Sequence, residues 1–324
     1  MPLSAPLLEP LSSLNHRHVT SSPSTNSELI AAVQDGTFCA HETHLLTADT
    51  QTAGRGQRGR SWQSPPGNVY LSLYHPMQMP VSGLLSLIIG VELATMPIIQ
   101  SLNSQLQAQG FTPIGVKWAN DLGFYPQTTH TAESGVSSHY EHSQAEQETI
   151  NYFKKLAGIL IEPVWRVGKL VGVVIGVGLN VQATPTLTAQ TCEGMSYQAL
   201  SLQDIYEQLN LPSKQTSTMC LPTLQELYQQ MSTALLAAIK RFTQIAAEQS
   251  SAQTPYKNAF LRQFAAMDAL AGLRLRVTQN HQGELQIIHG HACGIDTNGC
   301  LQLRQDNGKL AALFTGRIDV IHRA

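Results

Sequence analysis

The chain has 324 residues, is 42% hydrophobic and 13% charged, and carries a formal net charge of −2 at pH 7. That length suffices for a substantial core and about two domains, and the near-neutral balance argues against a dedicated polyanion binder. Five scattered cysteines without a CxxC pair argue against a zinc site or a disulfide framework, so a cytoplasmic protein is expected.

The first 20 or so residues read as a flexible tail. Pro6, Glu9 and Pro10 interrupt the apolar stretch and no basic segment precedes it, which argues against a secretory signal. STNSELIAAV (24–33) reads as a helix start: Thr25 and Glu28 have capping-box spacing, and Leu29, Ile30 and Val33 give an apolar face. GRGQRGRSW (54–62) packs three arginines and three glycines into a loop. NVYLSLYHP (68–76) alternates and is rich in β-formers, predicting a strand. Residues 83–109 predict a helix kinked near Pro97. Its apolar part, LLSLIIGVELATM (84–96), is too short to cross a membrane and predicts a buried helix.

IGVKWAND (114–121) predicts a short strand running into a polar corner. Residues 126–150 have almost no apolar residues and read as an inserted, mobile loop. KLAGILIEPVW (155–165), RVGK (166–169) and LVGVVIGVGLNV (170–181) predict an antiparallel hairpin at the centre of a sheet. The near-continuous apolar run implies burial on both faces. Residues 223–249 form an amphipathic helix with Leu224, Leu227, Tyr228, Met231, Leu235, Ile239 and Phe242 on one face. After about residue 268, short strands separated by NHQG, DTNG and DNG predict a small all-β barrel or sandwich.

Several segments carry chemistry. The arginine loop suits an anion, because guanidinium forks match carboxylate and phosphate and glycine lets backbone approach closely. A merely solvated basic loop has the same composition. Lys117, Asn120 and Asp121 stand at a strand end, where Lys117 could meet phosphate and Asp121 could orient it or assist a magnesium ion; a polar strand cap is the plain alternative. Lys155 stands at the start of a buried strand, beside Lys154, the better surface candidate. Gly176 and Gly178 would admit a planar ligand, or simply close packing, before Asn180. Ser24, Thr25 and Asn26 suit either a helix cap or polar ligand atoms.

Taken in order, STN, QTAGRGQRGRSW, GNVYLSL, KWAND, KLAGILIE and VIGVGLNV make this chain resemble the biotin–protein ligase family, over roughly residues 20–323. Three departures stand out. Ala119 replaces a usual proline, Gln57 replaces an arginine of the best-known members, and residues 126–150 replace a short connection. The resemblance implies an α+β fold: a mixed sheet with helices on one side, over residues 21–267, and a small C-terminal SH3-like β-barrel, over 268–324.

The resemblance also implies an ATP-dependent reaction. Biotin's carboxylate would attack the α-phosphate to give biotinyl-5′-AMP, and a lysine of a biotin carboxyl carrier protein would then take the biotinyl group. Its pattern places Ser24, Thr25, Asn26, Gln51, Arg55, Gly56, Gln57 and Lys155 around biotin. Arg58, Arg60, Trp62, Lys117, Asn120, Asp121 and Asn180 fall around ATP and Mg2+. Lys155, Lys117 and Arg55 are the catalytic candidates. No DNA binding is expected, since only about 20 irregular residues precede the STN motif; a homodimer is left open. A lipoate–protein ligase would share the fold and the adenylate strategy. A non-enzymatic RNA- or partner-binding module would instead show salt-sensitive RNA binding without ATP turnover.

Overall fold

The computed structural model describes residues 14–127, 148–185, 196–211, 220–248, 253–281 and 283–323. The central element is the predicted hairpin. Strand β7 (Phe153–Arg166) and strand β8 (Lys169–Leu179) pair antiparallel, and Val167 and Gly168 turn the chain with φ of 48° and 72°. Two consecutive positive φ values match the right-handed twist of a tight hairpin.

Around the hairpin the first sheet runs β1 (Asn15–Ser22), β2 (His44–Gln51), β3 (Val69–Pro76), β8, β7, β5 (Asp121–Phe124), β4 (Gly115–Lys117), with β9 (Tyr197–Ala199) also on β7. β1 lies parallel to β2, so residues 15–22 form an edge strand rather than the expected tail; residues 1–13 lie outside the described residues. Backbone pairing and side-chain bonds such as those of His16 and His18 with Thr47 Oγ1 hold it, because its sequence, NHRHVTSS, buries little and has no apolar alternation.

Side-chain alternation divides this sheet into two faces. Leu71 and Leu73, with Val173, Ile175 and Val177, face a large core against helices α2 (Gly83–Ala94) and α5 (Leu224–Ala247). Tyr74 and Val174 face Leu29 and Val33 of helix α1 (Thr25–Asp35) on the other side. Helices therefore cover both faces, not one: α1 carries its own apolar pair and needs its own cluster. Its cap is Ser24, whose side chain accepts from Ser27 N, while Glu28 accepts from Ser22 Oγ; the Thr25–Glu28 box does not form.

The expected kink at Pro97 is a full break. α2 ends at Ala94, and α3 (Pro97–Ala108) starts with proline in its first turn, bent by 69°. Proline removes a helical donor in mid-helix and is tolerated at a start. α5 begins with a Thr223–Glu226 capping box and buries six of its seven predicted face residues, with Leu224 partly buried. α4 (Leu202–Gln208) and α6 (Pro255–Met267) complete the helices. No single helix among the described residues is long and apolar enough to cross a membrane.

The second sheet is antiparallel and runs β13 (Leu310–Leu313), β12 (Leu301–Arg304), β11 (Glu284–Ile295), β10 (Arg274–His281), β14 (Arg317–Arg323), β6 (Glu148–Asn151). Gly283, Gly299 and Gly308 turn three of its connections with positive φ, as the NHQG, DTNG and DNG segments predict. The pairing path has two ends, so it is not a closed barrel. β6 joins it from the far end of the predicted insertion, whose residues 128–147 lie outside the described residues.

Candidate active site

The face that α1 covers becomes an open floor beyond the helix N-terminus. Tyr70 and Ser72 of β3, Gly158, Leu160 and Glu162 of β7, and Gly176 and Gly178 of β8 lie in or beside it. Each glycine is required by a close approach. A Cβ on Gly176 would lie 2.2 Å from Asn26 Oδ1, and one on Gly178 or Gly158 would lie 2.5 or 2.8 Å from the Trp62 ring.

A chain of hydrogen bonds wraps this small cavity of about 60 Å³. Gln51 Nε2 donates to Ser64 Oγ at 3.0 Å, and Gln51 Oε1 accepts from Thr25 N at 2.9 Å and from Thr25 Oγ1 at 3.1 Å. Ser72 Oγ lies 2.7 Å from Thr25 Oγ1 and 2.6 Å from Asn26 Oδ1. Asn26 Nδ2 donates to Glu162 Oε2 at 2.9 Å, and Arg55 Nη2 meets the same oxygen at 2.7 Å. The arrangement is a pocket of mostly neutral donors and acceptors with two cations on its lining, Arg55, paired with Glu162, and Lys155.

A second cavity of about 350 Å³ adjoins the first and shares Gly56, Gln57, Trp62, Asn120 and Lys155 with it. Arg58, Arg60, Lys117, Lys155 and Arg317 supply its cations, and Asp121 is its one carboxylate among the described lining residues. Lys155 Nζ stands 2.8 Å from Asp121 Oδ1, with the Trp62 and Tyr197 rings 5.1 and 4.9 Å away. Lys117 is buried against Phe153, its Nζ 4.8 Å from the ring centre. Burial pushes its ammonium down from 10.5 to about 8; Lys155 and Arg60 push the same way, while Asp121 and Asp319 oppose them.

The structure brings Ser24, Thr25, Asn26, Gln51, Arg55, Gly56, Gln57, Arg58, Arg60, Trp62, Lys117, Asn120, Asp121 and Lys155 onto these two cavities. Asn180 is the exception. It is buried after β8, donates to Leu200 O at 3.0 Å, and lines neither cavity. The corner at 117–121 is built by β4 turning into β5, with Asn120 Nδ2 bound to Ile159 O at 2.9 Å.

Sequence reasoning misses Ser72, Glu162 and Tyr197. Strand parity could have found the first two, since they share a face with Tyr70 and Gly176. It also misses the wall formed by Phe314, Thr315, Gly316, Arg317 and Ile318. Arg58 Nη2 donates to Thr315 Oγ1 at 2.6 Å, so the arginine loop touches the second sheet's loop directly. No signal in the sequence links residue 58 to residue 315.

Comparison with known proteins gives the same outline. The bifunctional ligase/repressor BirA of Salmonella typhimurium is 32% identical over 164 residues, 49% of this chain and 38% of that protein. BirA of Escherichia coli is 34% identical over 137 residues, 41% of this chain and 32% of that protein. The matched part thus spans under two-fifths of either relative. Over the whole chain, the fold resembles the biotin protein ligase of Aquifex aeolicus solved with biotin and ATP (TM-score 0.60, 19% identity, 96% of this chain and 99% of that one). It also resembles the Leishmania major enzyme solved with biotinyl-5-AMP (TM-score 0.51, 18% identity, 93% and 99%). Residues 19–180, half of the chain, match the biotin/lipoate A/B protein ligase family, and the chain belongs to that family.

Proposed function

We propose that this chain activates biotin with ATP as biotinyl-5′-AMP and transfers the biotinyl group to a lysine of a biotin carboxyl carrier domain. The observation that carries this reading is Lys155, placed where the mostly neutral polar pocket opens into the cation-rich cavity. The pocket around Thr25, Asn26, Gln51 and Ser72 suits a small neutral heterocycle with donors and acceptors. The larger cavity suits a triphosphate. The atoms that must react, a carboxylate oxygen and the α-phosphorus, would then meet beside Lys155.

Attack of one anion on another needs neutralisation and alignment rather than a covalent nucleophile. Lys155 and Arg55 would hold the carboxylate, and Lys117, Arg58 and Arg60 the phosphates. The carboxylate oxygen bonds to the α-phosphorus as the bond to pyrophosphate breaks. An uncharged acceptor amine then attacks the acyl carbon, AMP leaves with the electron pair, and the amine's extra proton passes to solvent or a nearby base.

The Trp62 Nε1–H, buried without a partner, is a donor left over for a ligand against the glycine floor. Gln57 replaces a charge, so retention of the adenylate would fall to the remaining cations. Among the described residues no group of three or more metal-ligating side chains occurs, and the cavity's one carboxylate is engaged by Lys155. Magnesium would therefore be carried mainly by the nucleotide's phosphates, with Asp121 as the candidate protein contact, neutralising their charge.

The test is ATP–pyrophosphate exchange with biotin and lipoate side by side, followed by transfer to a purified carrier domain with ATP and Mg2+. Biotin-dependent exchange and labelling of one lysine are expected. Exchange driven by lipoate instead, or by neither acid, would reject the reading.

A further inference from the structure

We propose that Glu162 is a positioning residue for biotin capture, holding in place the loop arginine and the helix asparagine that border the pocket. One oxygen of Glu162 accepts from both Arg55 Nη2 at 2.7 Å and Asn26 Nδ2 at 2.9 Å. These two residues come from different places: Asn26 from the first turn of α1, and Arg55 from the glycine-rich loop. The shared carboxylate therefore ties the glycine-rich loop to the helix.

Its first effect is orientation. With Nδ2 turned to Glu162 and Leu160 O, Asn26 must present Oδ1 to Ser72, which sets the donor and acceptor pattern along the Ser72–Thr25–Gln51 chain. Its second effect is pre-organisation. Arg55 has five N–H donors and the carboxylate takes one, so the guanidinium can hold Glu162 and still offer donors to a ligand. A side chain already held at the rim loses less freedom when ligand arrives.

This inference rests on the biotin-ligase reading, and the experiment separates the two. Glu162→Gln keeps size and an acceptor for Asn26 but removes the charge facing Arg55; Glu162→Asp keeps the charge on a shorter arm. In the full chain, Glu162→Gln is expected to raise the biotin KM about tenfold, the cost of re-ordering one long side chain, with kcat and the ATP KM little changed. Glu162→Asp should recover part of the loss. Trypsin should cut after Arg58 and Arg60 faster in ligand-free Glu162→Gln than in wild type, and Arg55→Met should abolish that difference. A Glu162→Gln protein with wild-type biotin KM and wild-type cleavage overturns the proposal. Equal losses in biotin KM, ATP KM and melting temperature also overturn it, because they mark a merely structural role. If wild type shows no biotin-dependent exchange, the ligase reading fails, while the cleavage comparison still reports on the Glu162–Arg55 tie.

Discussion

Among the described residues Lys155 is the one lysine that lines both cavities, and its ion pair with Asp121 keeps its ammonium at their junction. Lys155→Ala is expected to slow biotin-dependent pyrophosphate exchange about 100- to 1000-fold, the usual cost of losing one preorganised charge in a site. Its circular dichroism should match wild type. Near-normal exchange by the folded variant would remove Lys155 from the chemistry. Lys117 supports a separate prediction, because burial lowers its ammonium to about 8. The folded chain holds that proton less tightly than an unfolded one, so this group makes stability rise with pH between about 8 and 10.5. A bound polyphosphate acts in the opposite direction and favours the charged form. Calorimetry of a non-hydrolysable ATP analogue near pH 8, in buffers of different ionisation enthalpy, should show proton uptake, with affinity falling as pH rises through 8. Lys117→Arg should abolish the uptake; persistence of the uptake would assign it to another group.

At the scale of elements, strand parity explains the site. In β3, β7 and β8 one parity is apolar and builds the core, while the other carries serine, glycine and glutamate to the ligand floor. Gly176→Ala puts a methyl 2.2 Å from Asn26 Oδ1, which must move. The expected result is an approximately tenfold higher biotin KM, as for one displaced hydrogen bond, with the ATP KM unaffected. Gly178→Ala puts its methyl 2.5 Å from the Trp62 ring, so the indole should lift and its emission change even without ligand. Wild-type kinetics in the first and wild-type emission in the second would show that the floor tolerates a Cβ. The hairpin and the helix at 224–247 were legible from periodicity, because burial wrote them into the sequence, and the arginine loop from its composition alone. β1 was not, since its polar residues bury little and its backbone and side-chain bonds to β2 leave no periodic pattern in the sequence. The setting of Asn180 was hidden for a related reason: the motif marks the end of β8, but only the fold shows its side-chain amide donating to Leu200 O.

At the scale of the molecule, the C-terminal strands were readable but their docking was not. A strand-rich segment after residue 268 suggested a small all-β barrel or sandwich. Its Leu275, Val277, Leu303 and Val320 share one continuous core with Leu87, Val116 and Phe153. β6 extends the second sheet, Ala269 N donates to Val116 O at 3.0 Å, and Trp118 Nε1 donates to Gly299 O at 2.9 Å. Such contacts join residues far apart in sequence, so no local pattern announces them. They place the corner that carries Lys117 and Asp121 on the second sheet's support. A shared core should melt as one cooperative unit. Scanning calorimetry of the full chain is expected to show a single transition. Trp118→Phe, which leaves Gly299 O unbound while keeping most of the buried ring, should cost about 1–2 kcal/mol and lower that transition without splitting it. Two resolved transitions in wild type, with only the upper or lower one moved by Trp118→Phe, would mean that the sheets fold separately and that the wall at 314–318 is not a fixed part of the site.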